Sequence, residues 1–317
     1  LGDVYKRQHL YLTFTINLLG WIKNPKLKLT LTSNLRGILL MVSAATLFAM
    51  KDGFAKYLGG IYPVMILLWV QYSLLLLIVL PTIVVRHGWR SLWPSHIIPQ
   101  IARGMMSILA VGLFYIAITE IPLADATALI FISPAVVTTL SPFLLHESVG
   151  IRRWLAVIVG FIGILFIVQP GFQEIRLGTL ASIGAGVIWA FFQIITRSLA
   201  QQEIPLVTVL YTALIGAATM NILLPFYWVT PVLSDGVLLL LMAGFASRGQ
   251  ALLIYAFVAA PAVVVAPFVY VTIIVATATG YIAFGDLPGL MTWVGITVII
   301  ASGIYIALRE AKVKEPD

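Results

Sequence analysis

From Gly37 onward, apolar runs of about twenty residues alternate with short connections carrying proline, glycine or charge: "GGIYP", "EIPLAD", "HESVGIRR", "QPGFQEIRLG", "TPVLSD" and "FGDLPG". A helix rises 1.5 Å per residue, so each run is long enough to cross a hydrocarbon layer about 30 Å thick. Ten spans are predicted, at about 37–58, 62–85, 101–119, 123–145, 153–170, 178–199, 205–227, 236–258, 261–284 and 289–308. The ~10-residue alternating segments of a transmembrane β-barrel do not describe these runs. The expected fold class is an all-α membrane protein.

Residues 1–35 follow a different pattern. They open on Leu, "LGDVYKRQ" reads like a cloning or sequencing scar, and the apolar run from Leu10 to Trp21 is too short to span. This segment is expected to be a tail, in part non-native, with an interfacial amphipathic helix as the alternative.

Composition agrees with the pattern. Hydrophobic residues make up 61% of 317 and charged residues 10%, against about a quarter charged in soluble domains. The net charge of +7 raises nucleic acid as a partner, but its distribution argues otherwise. With the N-terminus inside, cytoplasmic segments hold Arg36, Arg86, Arg90, Arg103, Arg152, Arg153, Arg197, Arg309, Lys312 and Lys314, besides the basic tail. The other face holds Lys56 and Arg176, while Lys51 and Arg248 lie inside apolar runs. Basic residues concentrate on the cytoplasmic side of membrane proteins. An inner-membrane location with both termini cytoplasmic follows, with no nucleic-acid partner. The chain has no cysteine, which excludes disulfides and thiolate metal sites; no cofactor and no metal are expected.

Sliding the sequence by 139 positions superposes "IPLADATALIFISP…HESVGIRRW" on "AAPAVVVAPFVYVT…FGDLPGLMTW" without a gap. Pro122 falls on Pro261, Ala117 on Ala256, Glu147 on Asp286, Gly150 on Gly289 and Trp154 on Trp293. The shift carries spans four and five onto nine and ten, so the repeat is five helices. An odd repeat inserts its two copies upside down relative to each other. Residues 36–170 and 171–310 are the expected halves, followed by a cytoplasmic tail at 311–317. Such inverted repeats build two alternating gates around one midplane site in many secondary transporters.

The quoted segments resemble the EamA family of the drug/metabolite transporter superfamily. The resemblance is strongest from Arg103 to Gly171: the "EIPLADATAL" turn, Ser133, Pro134 and Glu147 in the fourth span, then Arg153, Trp154, Gly160, Gly163, Pro170 and Gly171. The second half repeats it with Ala260, Pro261, Pro267, Tyr270 and "FGDLP". The resemblance covers about 37–310. It implies export or exchange of small metabolites through a cavity lined by helices one, three, four, six, eight and nine. Two departures are Asp286, where the family usually has Glu, and Arg248, where a neutral residue is expected.

Several residues are candidates for a substrate or proton site. Asp52 and Lys56 are four apart, share a helix face and can pair in the favourable acid-first order. Lys56 can also snorkel to the interface, whereas Asp52 is too short to do so. Arg248 is about 12 residues into its predicted span, near Gln250, with Gln71 and Tyr72 similarly placed in the second. A buried guanidinium there needs a carboxylate, Asp52 for example, or a bound anion. Lys51 and Tyr270 complete the set. Pro122, Pro134, Glu147, Pro261, Pro267 and Asp286 are assigned to gating or structural motifs, Pro134 and Pro267 by freeing carbonyls that let helices four and nine bend.

Three function classes can be set against these features. No Gly-x-x-x-x-Gly-Lys-Ser/Thr loop occurs, so a secondary-active transporter must draw on a proton or solute gradient. An intramembrane enzyme lacks its machinery: there is no His-Glu-x-x-His, and His9, His87, His96 and His146 lie in the tail or loops. A non-transporting receptor or assembly subunit is the remaining alternative. The reading is a secondary transporter working by alternating access, with amino-acid-like or carboxylate solutes favoured because the cavity offers both Arg248 and Asp52.

Overall fold

The computed structural model describes residues 33–144, 150–169, 176–199 and 203–313. The tail through Thr32, Glu147, and Pro170 with Gly171 lie outside the described residues. Every regular element among the described residues is a helix: α1 (Ser33–Gly59), α2 (Val64–His87), α3 (Ile97–Glu120), α4 (Leu123–Ile130), α5 (Ser133–Leu144), α6 (Ile151–Val168), α7 (Leu177–Leu199), α8 (Pro205–Tyr227), α9 (Leu233–Ala259), α10 (Ala262–Val265), α11 (Val271–Phe284) and α12 (Leu290–Val313). Short 3-10 turns cover Trp89–Leu92 and Ala266–Tyr270. Span four is therefore α4 plus α5, and span nine is α10, a 3-10 turn and α11. The other eight spans are single helices, which gives the ten expected. Among the described residues, eight stretches are long and apolar enough to cross a membrane, and Trp154–Val168 and Leu290–Tyr305 are shorter apolar helices.

In apolar surroundings every backbone polar group needs an internal partner, which is why a chain of this composition folds as helices. The two ends of the bundle are defined by contacts across it. At the terminal end, the start of α1 meets α9 and α10, with Gly37 against Ala260 and Val265. The Tyr211 hydroxyl there donates to Leu92 O at 2.9 Å. At the distal end, Lys56 bonds to Ile121 O and Asp286, and the Tyr62 hydroxyl donates to Asp235 at 2.8 Å.

Packing follows the repeat. α1 packs most extensively on α9, and α7 on α3; the 139-residue shift exchanges these two pairs. α2 packs on α8, and α6 on α12, each pair being its own image. Ala256 and its counterpart Ala117 each take a close glycine approach, although the shift carries Gly37 to Arg176 and not to Gly178. A Cβ on Gly37 would stand 3.3 Å from Ala256 O at the terminal end. A Cβ on Gly178 would stand 3.1 Å from Ala117 O at the distal end, and Ala117 is the counterpart of Ala256. Between α6 and α12, a Cβ on Gly160 would lie 3.1 Å from Ser302 Oγ, and one on Gly163 would lie 2.9 Å from Ile299 Cγ1. The shift takes Gly160 to Ile299 and Gly163 to Ser302, so these contacts are one contact seen from both halves. Small residues allow such approach between membrane helices, where the attraction is packing rather than the hydrophobic effect.

The prolines are placed differently from the expectation. Pro134 is the second residue of α5 and Pro267 the second residue of the 3-10 turn. Each starts a segment, where the missing N–H would have had no intrahelical partner. The interruptions precede them or surround them, at Phe131–Ile132 and Ala266–Tyr270. The prolines that sit inside helices are Pro81, Pro142 and Pro225.

Candidate functional site

In α1 the sequence "MKDGFAK" separates its charges by destination. Asp52 does not pair with Lys56, as the four-residue spacing suggested. Its partner is Lys51, whose Nζ donates to Asp52 Oδ1. Neighbouring residues on a helix do not face each other, but the lysine stem is long enough to fold back. Both groups are buried, with 9% and 5% of their surfaces exposed. Lys51 also reaches the Tyr115 hydroxyl of α3 at 3.4 Å and lies 4.9 Å from that ring's centre. The Tyr115 hydroxyl in turn donates to Gln71 Oε1 of α2. Asp52, Lys51, Tyr115 and Gln71 thus form one hydrogen-bonded chain across three helices. Ala49 and Ala55, within a turn of the pair on α1, are fully buried as well. Removing one partner of a buried pair costs about 3–5 kcal/mol, because the other charge is left uncompensated.

Tyr72, next to Gln71, shares a 2.9 Å hydrogen bond with Ser107 Oγ of α3. Its ring lies against Gly216 of α8, where any side chain would collide with it. Nearer the terminal end, α3 contributes a residue that sequence reasoning assigned to a cytoplasmic segment. Arg103 is 4% exposed. Its Nε donates to Thr196 Oγ1 of α7 at 2.6 Å, and its Nη1 to Thr208 O of α8 at 2.7 Å and to Thr212 Oγ1. The guanidinium carbon lies 4.4 Å from the centre of the Phe192 ring. The difference has a simple cause: the apolar pattern starts span three at 101, but α3 begins at Ile97. That start places Arg103 about 9 Å inside the helix.

Lys56 is engaged at the distal end, bonding to Asp286 Oδ2 at 2.7 Å and Ile121 O at 3.0 Å. Asp286 thus joins α1 to the α11–α12 loop. Beside them, Asp125 in the first turn of α4 meets the Thr292 hydroxyl, and its Oδ1 has no partner. Outside the spans, the hydrogen bond to Asp235 raises the Tyr62 phenol above its ordinary pKa.

The remaining predicted residues are not gathered here. Arg248 is exposed, on the stripe of α9 that also exposes Val237 and Leu241. It makes no ion pair with Asp52. The apolar character of that stripe makes it a bilayer-facing surface along which a long cation can snorkel. Gln250 is half-buried and unconnected to the chain around Lys51. Tyr270 is 9% exposed, its ring stacked on Phe131 at 4.7 Å. Those two residues, with Pro134, Gly160, Ser302 and Gly303, border a small cavity of about 20 Å³. Pro122 caps α4 and Pro261 is exposed before α10. Groups of three or more residues able to hold a metal ion are absent among the described residues.

Comparison with known proteins bears on what this arrangement serves. Residues 35–169 match the model of the EamA-like transporter family. A riboflavin transporter of Vibrio cholerae serotype O1 is 28% identical over 283 residues, covering 88% of this chain and 95% of that one. An S-adenosylmethionine uptake transporter of Rickettsia prowazekii is 25% identical over 282 residues, covering 89% and 96%. A crystal structure that covers 88% of this chain and 99% of its own has a TM-score of 0.61 at 16% identity. That last likeness speaks for the fold.

Proposed function

This chain belongs to the EamA-like transporter family, and from that premise we propose that it moves an amino-acid-like solute across the inner membrane by alternating access. It is a multi-pass membrane transporter of small metabolites and not an enzyme. The two five-helix halves, 36–170 and 171–310, supply the two gates, and both termini are cytoplasmic. A proton or counter-solute gradient supplies the energy.

The observation that carries the substrate reading is the buried Lys51–Asp52 pair with Tyr115 and Gln71. A zwitterion can replace each half of such a pair, its carboxylate taking Lys51 and its ammonium taking Asp52, with no net change in buried charge. Tyr115, Gln71 and Tyr72 then offer neutral hydrogen bonds to the rest of the solute. S-Adenosylmethionine, named for one of the relatives, carries such an amino-acid head; riboflavin, named for another, does not. Arg248 has no part in this site.

The test is uptake of radiolabelled amino acids, S-adenosylmethionine and riboflavin by reconstituted protein, with and without a pH gradient. Transport of a zwitterion that is lost in a folded Lys51→Met/Asp52→Leu double variant supports the site. A double variant that folds and transports at the full rate reduces the pair to a brace between helices.

A further inference from the structure

Arg103 is a buried cation with no ion-pair partner among the described residues. The ion pairs among the described residues join Lys51 to Asp52 and Lys56 to Asp286, and His96 Nδ1 lies 3.7 Å from Glu203 Oε1. Arg103 meets neutral acceptors alone, on α7 and α8, and its Nη2 makes no hydrogen bond among the described residues. A guanidinium is a planar fork suited to two oxygens of one anion, and burying it uncompensated is unfavourable. A second feature points to the same place. Gln100, one helical turn before Arg103, is fully buried, and its Oε1 has no partner although its Nε2 donates to Thr208 Oγ1 at 3.4 Å. Turning that carboxamide over would let the Thr208 hydroxyl donate to Oε1 and present the NH₂ group as a further donor beside Arg103. Phe192, under the guanidinium, stacks on Trp189 at 4.5 Å, which closes one side with rings.

We propose that Arg103, with Gln100, Thr196 and Thr212, is an anion subsite at the terminal end of the solute path, taking a carboxylate or phosphate group. It is separate from the Lys51–Asp52 pair: Arg103 lies about 9 Å into α3 from the terminal end, and Lys51 about 27 Å into α1 from the same end. Tyr72 and Ser107 lie between them. The inference rests on the transporter reading, but its test reads binding and needs no transport. Enclosure by α3, α7 and α8 means that the anion arrives from solution when the seam between them opens.

The chain has no cysteine, so a Thr196→Cys variant in phosphatidylcholine nanodiscs carries a single thiol. Its rates with an anionic sulfonate and a cationic trimethylammonium methanethiosulfonate are each divided by those of the exposed loop variant Ser95→Cys. We expect the sulfonate reagent to be favoured at least fivefold and sodium phosphate to slow it more than sodium chloride at equal ionic strength. Arg103→Gln in the same chain should abolish the preference. Equal rates, no reaction, or a preference that survives Arg103→Gln overturns the proposal. If Arg103→Gln does not yield folded protein, the phosphate-against-chloride comparison with Arg103 intact decides. Phosphatidylglycerol nanodiscs should give the same rates; abolition of labelling there would assign the guanidinium to a lipid headgroup instead.

Discussion

Phe131 and Tyr270 stack ring on ring, with centroids 4.7 Å apart and planes 26° from parallel. They are 139 residues apart, the shift that relates the two halves, so each is the other's image and they meet on the axis between the repeats. Each also marks the interruption of its span, Phe131 following α4 and Tyr270 preceding α11. Tyr270 in turn lies against Gly303 of α12, where a Cβ would collide with its hydroxyl and ring.

That contact gives the first prediction. Gly303→Ala should destabilise the folded protein by about 1–3 kcal/mol, the usual range for overpacking. Tyr270→Phe removes the hydroxyl the new methyl meets first and should recover part of the loss. Thermal unfolding in detergent of both single variants and the double variant measures the coupling; strictly additive effects would count against it.

A second prediction concerns Pro267, second residue of the 3-10 turn in span nine. Pro267→Ala permits continuous α-helix through a segment that now changes pitch. If the pitch change is the pivot of alternating access, flux per folded molecule should fall while the amount of folded protein does not. Wild-type flux per molecule would make the turn purely structural.

How far the sequence could be read depended on distance along the chain. Ten spans, the repeat and the unusual placing of the "MKDGFAK" charges inside an apolar run were legible, because length, self-similarity and charge in an apolar run are local signals. Partner choice was not. Lys56 and Asp52 share a face four residues apart, yet Lys56 bonds to Asp286, 230 positions away, and Asp52 to the adjacent Lys51. Which partner wins depends on where the distal loops come down, which no spacing rule encodes. Arg103 is buried and Arg248 exposed, the reverse of the expectation, for a related reason. The buried or lipid-facing side of a helix that is apolar all round cannot be read from periodicity, and a four-residue difference in the start of α3 put Arg103 at the end of its span instead of well inside it. A helical start at Ile97 was nonetheless compatible with Pro99, which tolerates the first turn.

The third prediction is orientation. By the positive-inside rule, the excess of basic residues predicts that the terminal end faces the cytoplasm. In whole cells, a cysteine at Arg90 should be protected from an impermeant thiol reagent, while one at Thr230, in the α8–α9 connection at the distal end, should react. The opposite pattern would invert the protein and with it the side on which Arg103 receives its anion.

The fourth prediction starts from the single ammonium that ties three segments at the distal end. Lys56 joins α1 to Ile121 in the α3–α4 turn and to Asp286 in the α11–α12 loop, and lies 5.3 Å from the centre of the Phe284 ring. The side chains of Lys56 and Asp286 are 13% and 31% exposed, so solvent screening limits the pair to about 1 kcal/mol. That is small for stability but enough to shift a two-state equilibrium about fivefold. Lys56→Gln should therefore favour a conformation open at the distal end without unfolding the bundle. Ala124, in the first turn of α4, is 2% exposed in the closed arrangement. An Ala124→Cys reporter should label about fivefold faster when Lys56→Gln is added. The exchange Lys56→Asp with Asp286→Lys should return the rate toward the parent's. Labelling that ignores both changes would mean that the pair braces the distal end in every conformation and takes no part in opening it.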